Sequence, residues 1–341
     1  MKIKKLIPAI AFMVILAGCG NEKTSEIMEN ENPKQETSQT VDEDKNAQSN
    51  GIIYTSFYPI YNLSKQIAGD KWEIRSFTNL KTESHGWEPS AKDIAELSNA
   101  SLMIINGAGM EEWEDSVDDS TDIEILDTTS GLDLLEAKEE YNHNHDDHEE
   151  NHEHENEDEH NHEHNHGKYD PHTWLSPKNA IYQAKLITDK LISLDADNKD
   201  YYKNNYEKLE KELTDLINDY EKKFADVDSK NFVVNHKAFS YLAHDFDLNQ
   251  IALTEIASTD DQGAKDLKEL VDLANELNIS TIFYEKGTDG KSAKTIAEEI
   301  GADTNVLNTL EFATDEDLTN GRTYQDLMKE NLEALYQSMI K

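Results

Sequence analysis

The chain has 341 residues, enough for two modest domains rather than one. It carries 71 acidic against 32 basic residues, a net charge of −39; with no basic surplus to meet phosphates, no nucleic-acid partner is expected, and such a surface attracts cations. Its single cysteine, Cys19, excludes an intramolecular disulfide.

The first segment, 1–19, has Lys2, Lys4 and Lys5, then an apolar run from Leu6 to Ala17, then Gly18-Cys19. A charged start, a short apolar stretch and small residues at the cut predict a secretory signal peptide. The run is too short to span a bilayer, which takes about 20 residues. Leu16-Ala17-Gly18-Cys19 resembles a bacterial lipobox, which implies cleavage before Cys19 and a diacylglyceryl anchor on its thiol. Residues 20–50 are polar and contain no aromatic residue. They bury too little apolar surface to offset ordering entropy, so a flexible tether is expected.

Strands are predicted at 52–56, 73–77, 101–105 and 123–126, with helices at 59–68, stopped by Gly69, and at 90–99. Residues 143–166 break the pattern: nine His, ten Asp or Glu and five Asn, and nothing else. No core forms from that composition, so an exposed low-complexity insertion is expected. Residues 178–224 are strongly helical, broken near 195–198. The second of these helices, about 27 residues, would run near 40 Å at about 1.5 Å per residue. A second alternating set follows, with strands near 232–234, 250–253, 281–284 and 305–307 and helices near 238–244, 264–277, 292–300 and 323–340. The expected fold class is α/β: two (β/α) lobes with mostly parallel sheets, joined by a long rigid helix, with a cleft between them. The division predicted is an N-terminal lobe at 51–196 that includes the insertion, a linking helix at 197–225 and a C-terminal lobe at 226–341.

Of 13 histidines, four lie outside the insertion: His85, His172, His236 and His244. His85 sits in His85-Gly86-Trp87-Glu88-Pro89, after the second predicted strand. His172 sits in Asp170-Pro171-His172-Thr173-Trp174-Leu175-Ser176-Pro177, a loop stiffened by its prolines. His236 opens Asn235-His236-Lys237-Ala238-Phe239-Ser240-Tyr241, directly after a strand. Ligands of open α/β sheets bind beyond the carboxyl ends of strands, where His85 and His236 fall, one in each half. Imidazole suits Zn²⁺, which takes four tetrahedral N, S or O ligands; without a cysteine in the folded sequence, the site must use His and carboxylates. A shared zinc site of His85, His172 and His236 is expected. His244 lies within a short helix with no motif around it and is expected to be structural or solvent-facing.

These three motifs resemble the zinc solute-binding proteins of bacterial ABC importers, a cluster that also serves manganese. The resemblance runs from about Gly51 to the C-terminus and implies that the metal sits between two lobes. It implies His85, His172 and His236 as ligands, with Glu311, in Leu307-Asn308-Thr309-Leu310-Glu311, as the fourth. Glu285, which follows a strand, is a rival fourth ligand, and water another; Asp170 could orient its neighbours or cap the backbone before Pro171. Manganese members tend to carry a carboxylate where His236 stands, and three imidazoles with one carboxylate favour zinc over the harder ion. The resemblance further implies a monomer that is no enzyme. It works at the extracytoplasmic face of the cell membrane with a membrane permease and a separate ATPase; the chain itself has no Walker-type phosphate loop.

Three other readings stand beside this one. A manganese or iron binder is one. A metal-dependent hydrolase is another, since three His with an open water position is also a catalytic arrangement. The third is a surface adhesin, active in cell adhesion, that binds metal incidentally. His148-Glu149-Glu150-Asn151-His152 and His162-Glu163-His164-Asn165-His166 match a metalloprotease pattern, but nothing apolar there could pack the required helix. The insertion is expected to gather zinc loosely near neutral pH, where His is mostly neutral.

Overall fold

Among the described residues, eight parallel strands are divided between two separate sheets. The computed structural model describes residues 50–137, 168–253, 264–277 and 279–340. Cys19 with the segment around it, the 20–49 stretch and the 143–166 insertion lie outside the described residues. The first half alternates β1 (Ile52–Thr55), α1 (Tyr58–Ala68), β2 (Glu73–Ser76), α2 (Ala91–Leu97), β3 (Leu102–Ile105), α3 (Glu114–Ser120) and β4 (Ile125–Asp127). Two helices follow, α4 (Pro177–Leu194) and α5 (Lys199–Ala225). The second half runs β5 (Asn231–Val234), α6 (Ser240–Asp245), β6 (Asn249–Ala252), α7 (Ala264–Glu276), β7 (Thr281–Glu285), α8 (Lys291–Ile300), β8 (Asp303–Leu307), α9 (Asp315–Thr319) and α10 (Tyr324–Met339).

The two sheets share one topology, β2-β1-β3-β4 and β6-β5-β7-β8. In each, the chain steps outward once and then returns to the other side of its first strand. The connections therefore diverge between β1 and β3, and again between β5 and β7. The crevice at such a switch point is where open α/β sheets bind ligands.

Alternation along the strands sorts side chains into separate layers. Ile53, Leu102 and Ile104 enter the central core, while Tyr54, Met103 and Ile105 point to the opposite face of the sheet, against Phe77, Trp113 and Val117. The second sheet divides likewise: Phe232, Val234 and Phe283 face the central core, and Val233 and Ile282 meet Ala293 and Ile296 of α8.

The central core is continuous across both halves because α4, α5 and α10 run through it. Helix α4 starts at a Ser176 cap whose hydroxyl accepts the Asn179 N–H, followed by Pro177 in the first turn. In α5, Tyr202, Leu209, Leu213, Ile217, Tyr220 and Phe224 are buried at helical spacing, one stripe on an otherwise charged helix. This is the long helix between the lobes that the sequence pattern predicts. Among the described residues, no helix is long and apolar enough to cross a membrane.

Candidate metal centre

His85 lies in the loop between β2 and α2. Gly86 follows it at φ 64°, a left-handed turn that suits glycine. Beyond the turn, Trp87 packs edge-on against Phe77 and Trp113, with ring centroids 5.2 and 6.0 Å away. An aromatic cluster thus anchors the loop on the far side of the histidine.

His172 is almost fully buried, 3% exposed. Asp170 Oδ1 accepts both its backbone N–H, at 2.9 Å, and its Nδ1–H, at 2.8 Å. Asn106, just beyond β3, donates from Nδ2 to the Pro171 carbonyl at 3.0 Å and accepts the Thr173 hydroxyl at 2.7 Å. With Nδ1 committed to Asp170, Nε2 is the nitrogen offered to the site.

His236 follows β5 in the second half. Val234 of β5 is in register with Phe283 of β7, so two residues further on 236 lies beside 285. The Glu285 carboxylate accepts from His236 Nδ1 at 3.1 Å. This pair stands at the switch point of the second sheet.

Glu311 lies beyond β8 in a turn that Asn308 and Asn331 hold. Asn331 accepts the Asn308 N–H at 2.8 Å and donates to its carbonyl at 2.7 Å, and Asn308 Oδ1 accepts the Leu310 N–H at 2.8 Å. Leu310 has φ 58°, an uncommon value for a branched residue, and is fully buried. Such backbone costs about 1–3 kcal/mol and persists only where its surroundings enforce it. Here it turns Glu311 towards the other half. The Ser84 N–H donates to Glu311 Oε2 at 3.3 Å, and the Ala313 N–H donates to the Leu80 carbonyl at 2.8 Å. Lys81 and Asp315 pair beside them. The His85 and Glu311 loops are thereby clasped together across the cleft.

The donor atoms converge. His85 Nε2 lies 3.2 Å from His172 Nε2 and 3.6 Å from Glu311 Oε1. The His85, His172 and Glu311 donors all lie within 4.8 Å of one another, the one such group among the described residues. A tetrahedral ion with Zn–N bonds of about 2.0–2.1 Å separates neighbouring nitrogens by about 3.3 Å, so this spacing fits zinc. His236 stands alongside, its ring centroid 5.1 Å from that of His172 and 6.4 Å from that of His85, but outside the tight donor group. Glu285 faces His236 rather than the group. His244 is exposed on α6 and outside the donor group.

Burial dominates the electrostatics of the inner donors. It pushes the Glu311 carboxyl up to about 7, with Glu83 and Glu285 adding to the rise and the Ser84 N–H and His236 opposing it. It holds the His172 imidazole below its ordinary value despite Asp170. At His236 burial acts in the same direction, but the Glu285 hydrogen bond and charge, with Glu311 and Asp170, outweigh it and raise the imidazole.

A scaffold role falls to a further residue of the His172 motif. Trp174 is fully buried; its indole N–H donates to the Thr309 carbonyl at 2.7 Å, and its own carbonyl accepts the Tyr324 hydroxyl at 2.6 Å. It ties the His172 loop to the Glu311 turn. Asn106 and Asn331, which hold those two loops, carried no sequence signal beyond being single polar residues in or beside apolar segments.

The model of the periplasmic A component of the zinc-uptake complex, ZnuA, matches residues 53–338. The high-affinity zinc uptake system protein ZnuA of Bacillus subtilis (strain 168) is 34% identical over 333 residues, 97% of this chain and 95% of that protein. Among solved structures, the Zn(II)-bound ZnuA-like domain of Streptococcus pneumoniae AdcA is 30% identical with a TM-score of 0.69, over 85% of this chain and 99% of that one. Whole AdcA is longer: the chain spans about 55% of its length. The laminin-binding protein Lmb of Streptococcus agalactiae, a bifunctional protein with adhesin and metal-transporting activity, is 31% identical with a TM-score of 0.69, over 85% of this chain and 99% of that one. The chain therefore belongs to the ZnuA family, the periplasmic A components of zinc-uptake complexes.

Proposed function

We propose that this protein captures Zn²⁺ outside the cytoplasmic membrane with high affinity and delivers it to the permease of an ABC importer, whose separate ATPase drives uptake. The observation that carries this reading is the convergence of His85, His172 and Glu311 donors within 4.8 Å between the two lobes. His236 completes an N₃O set, which favours zinc over manganese. The zinc named in the relatives supports the same cargo. Zinc is transported ligand here, so the protein acts by binding rather than turnover.

The working form is a monomer anchored through a diacylglyceryl group on Cys19, after removal of 1–19 as a signal peptide. Residues 20–50 serve as the tether. The lobes are 51–196 and 226–341, joined by the helix at 197–225. Residues 143–166 gather zinc loosely for the cleft.

Calorimetry with zinc and manganese on the chain from Gly51 tests this. Three forms are compared: intact, lacking 143–166, and that deletion with His236→Ala. The expected result is one tight zinc site that survives the deletion and collapses with the substitution. Loss of tight binding with the deletion alone would make the protein a surface zinc sponge.

The likeness to Lmb supports a second activity, adhesion to laminin. Laminin binding that persists in the His236→Ala form would separate it from zinc capture.

A further inference from the structure

Glu285 is an acidic residue at the cleft that the tight donor group does not include. It ends β7, and its carboxylate is directed to His236 Nδ1 at 3.1 Å. The arrangement parallels Asp170 and His172 in the other half, where a carboxylate holds Nδ1 at 2.8 Å. The two pairs differ in construction. Asp170 is two residues from its histidine, is buried, and grips the ring and the backbone together. Glu285 is 49 residues from His236 and reaches it only because β5 and β7 are paired.

His172 is held by its surroundings as well as by its carboxylate, since its side chain is 4% exposed. The His236 side chain is 37% exposed, so packing leaves its ring more freedom. The Glu285 bond is then the main restraint on which nitrogen faces the cleft and in what orientation. An Nδ1–H held by a carboxylate fixes the tautomer with its lone pair on Nε2 and makes that nitrogen a stronger donor.

We infer that Glu285 is not a zinc ligand but the positioning residue that aims His236 Nε2 at the ion held by His85, His172 and Glu311. This rests on the reading of His236 as a ligand given above. It places the control of zinc retention in the second lobe. His172 and Glu311 are fixed by burial, whereas the half-exposed His236 joins and leaves as its Glu285 bond allows.

The test uses the full chain with Glu285→Gln, Glu285→Ala and His236→Ala. Zinc affinity at the tightest site is read by chelator competition, dissociation by stopped flow, and the ligand set by the visible spectrum of the first equivalent of Co²⁺. Glu285→Ala should lower affinity by about 10–100-fold, the usual cost of losing such a partner, through faster dissociation. Glu285→Gln should lose less, because the amide oxygen still accepts the Nδ1–H. Both should keep the wild-type Co²⁺ spectrum, whereas His236→Ala changes it. Wild-type affinity and dissociation in both Glu285 variants, with His236→Ala still impaired, would overturn the inference and leave the site assignment standing. A Co²⁺ spectrum altered in Glu285→Ala as in His236→Ala would also overturn it, by making Glu285 a ligand. Unchanged zinc binding in His236→Ala would instead defeat the ligand reading on which the inference rests.

Discussion

His172 and His236 show how little a residue's identity fixes without its surroundings. Burial suppresses the charged form of the first, and neighbouring carboxylates favour it in the second. Asp317 is a clearer case for stability. It accepts the Thr314 N–H at 3.0 Å and hydroxyl at 2.7 Å, pairs with Lys286 Nζ at 2.9 Å, and is buried. Although burial alone would raise its carboxyl, these partners together hold it below the ordinary carboxylate range. A carboxyl depressed in the fold stabilises above its unfolded pKa, about 3.9 for Asp, and that contribution is lost as pH falls through the folded value. Thermal unfolding of Asp317→Asn should therefore show a deficit of about 1–3 kcal/mol at pH 7 that shrinks towards pH 3. The sequence marked His85, His172, His236 and Glu311 because each sits in a compact motif or matches a family position. It could not separate Glu285 the ligand from Glu285 the partner. That distinction depends on the β5–β7 register, which brings together residues 49 positions apart.

Among the elements, the long and periodic ones were legible and the short acidic ones were not. Helix α5 falls in the strongly helical stretch predicted at 178–224, and α10 in the helix predicted near 323–340. Helices α3 and α9 were missed: each is short and acidic, with one buried side chain, Val117 and Asp317 respectively. The sequence of α9 carries only a capping box between Thr314 and Asp317. The turn at 308–311 was equally hidden, since nothing in Leu310 announces a positive φ. That turn depends on Asn331 of α10. Asn331→Ala leaves the Asn308 N–H and carbonyl without their partner in a buried setting, at about 1–3 kcal/mol for each unpaired group. It should lower the unfolding midpoint in denaturant and weaken zinc binding, because the turn aims Glu311. Full zinc affinity in a measurably destabilised variant would show that the turn does not depend on Asn331.

At the scale of the whole molecule, the two sheets and the long helix between them are legible in the sequence, but the locking of the two halves' loops onto one another is not. One buried indole does much of it. Trp174→Phe keeps most of the packing against Phe57, whose ring centroid lies 4.8 Å away, but gives up the bond to the Thr309 carbonyl. An unsatisfied buried carbonyl costs about 1–3 kcal/mol, whereas Trp174→Ala should cost about 3–5 kcal/mol through the cavity as well. Chemical denaturation distinguishes the two. The phenylalanine variant should also bind zinc more weakly, since His172 and Glu311 lose their shared tie.

The clasp between the His85 and Glu311 loops joins residues more than 200 positions apart, Ser84 and Glu311 being separated by 227. Once the chain unfolds, that donor set no longer exists, so zinc held there is a ligand of the native state alone. At a free concentration 100 times the dissociation constant such a ligand adds about 2.7 kcal/mol to stability. The nine histidines of 143–166 are close together in sequence alone, so whatever zinc they take is taken by the folded and the denatured chain alike. Binding shared equally by both states adds nothing to stability and removes nothing from it. Melting curves at matched free zinc should therefore show the same rise in midpoint for the intact chain and for the chain lacking 143–166. A smaller rise in the intact chain at equal total zinc should vanish once zinc is in excess: the tract competes for the metal without entering the folding equilibrium.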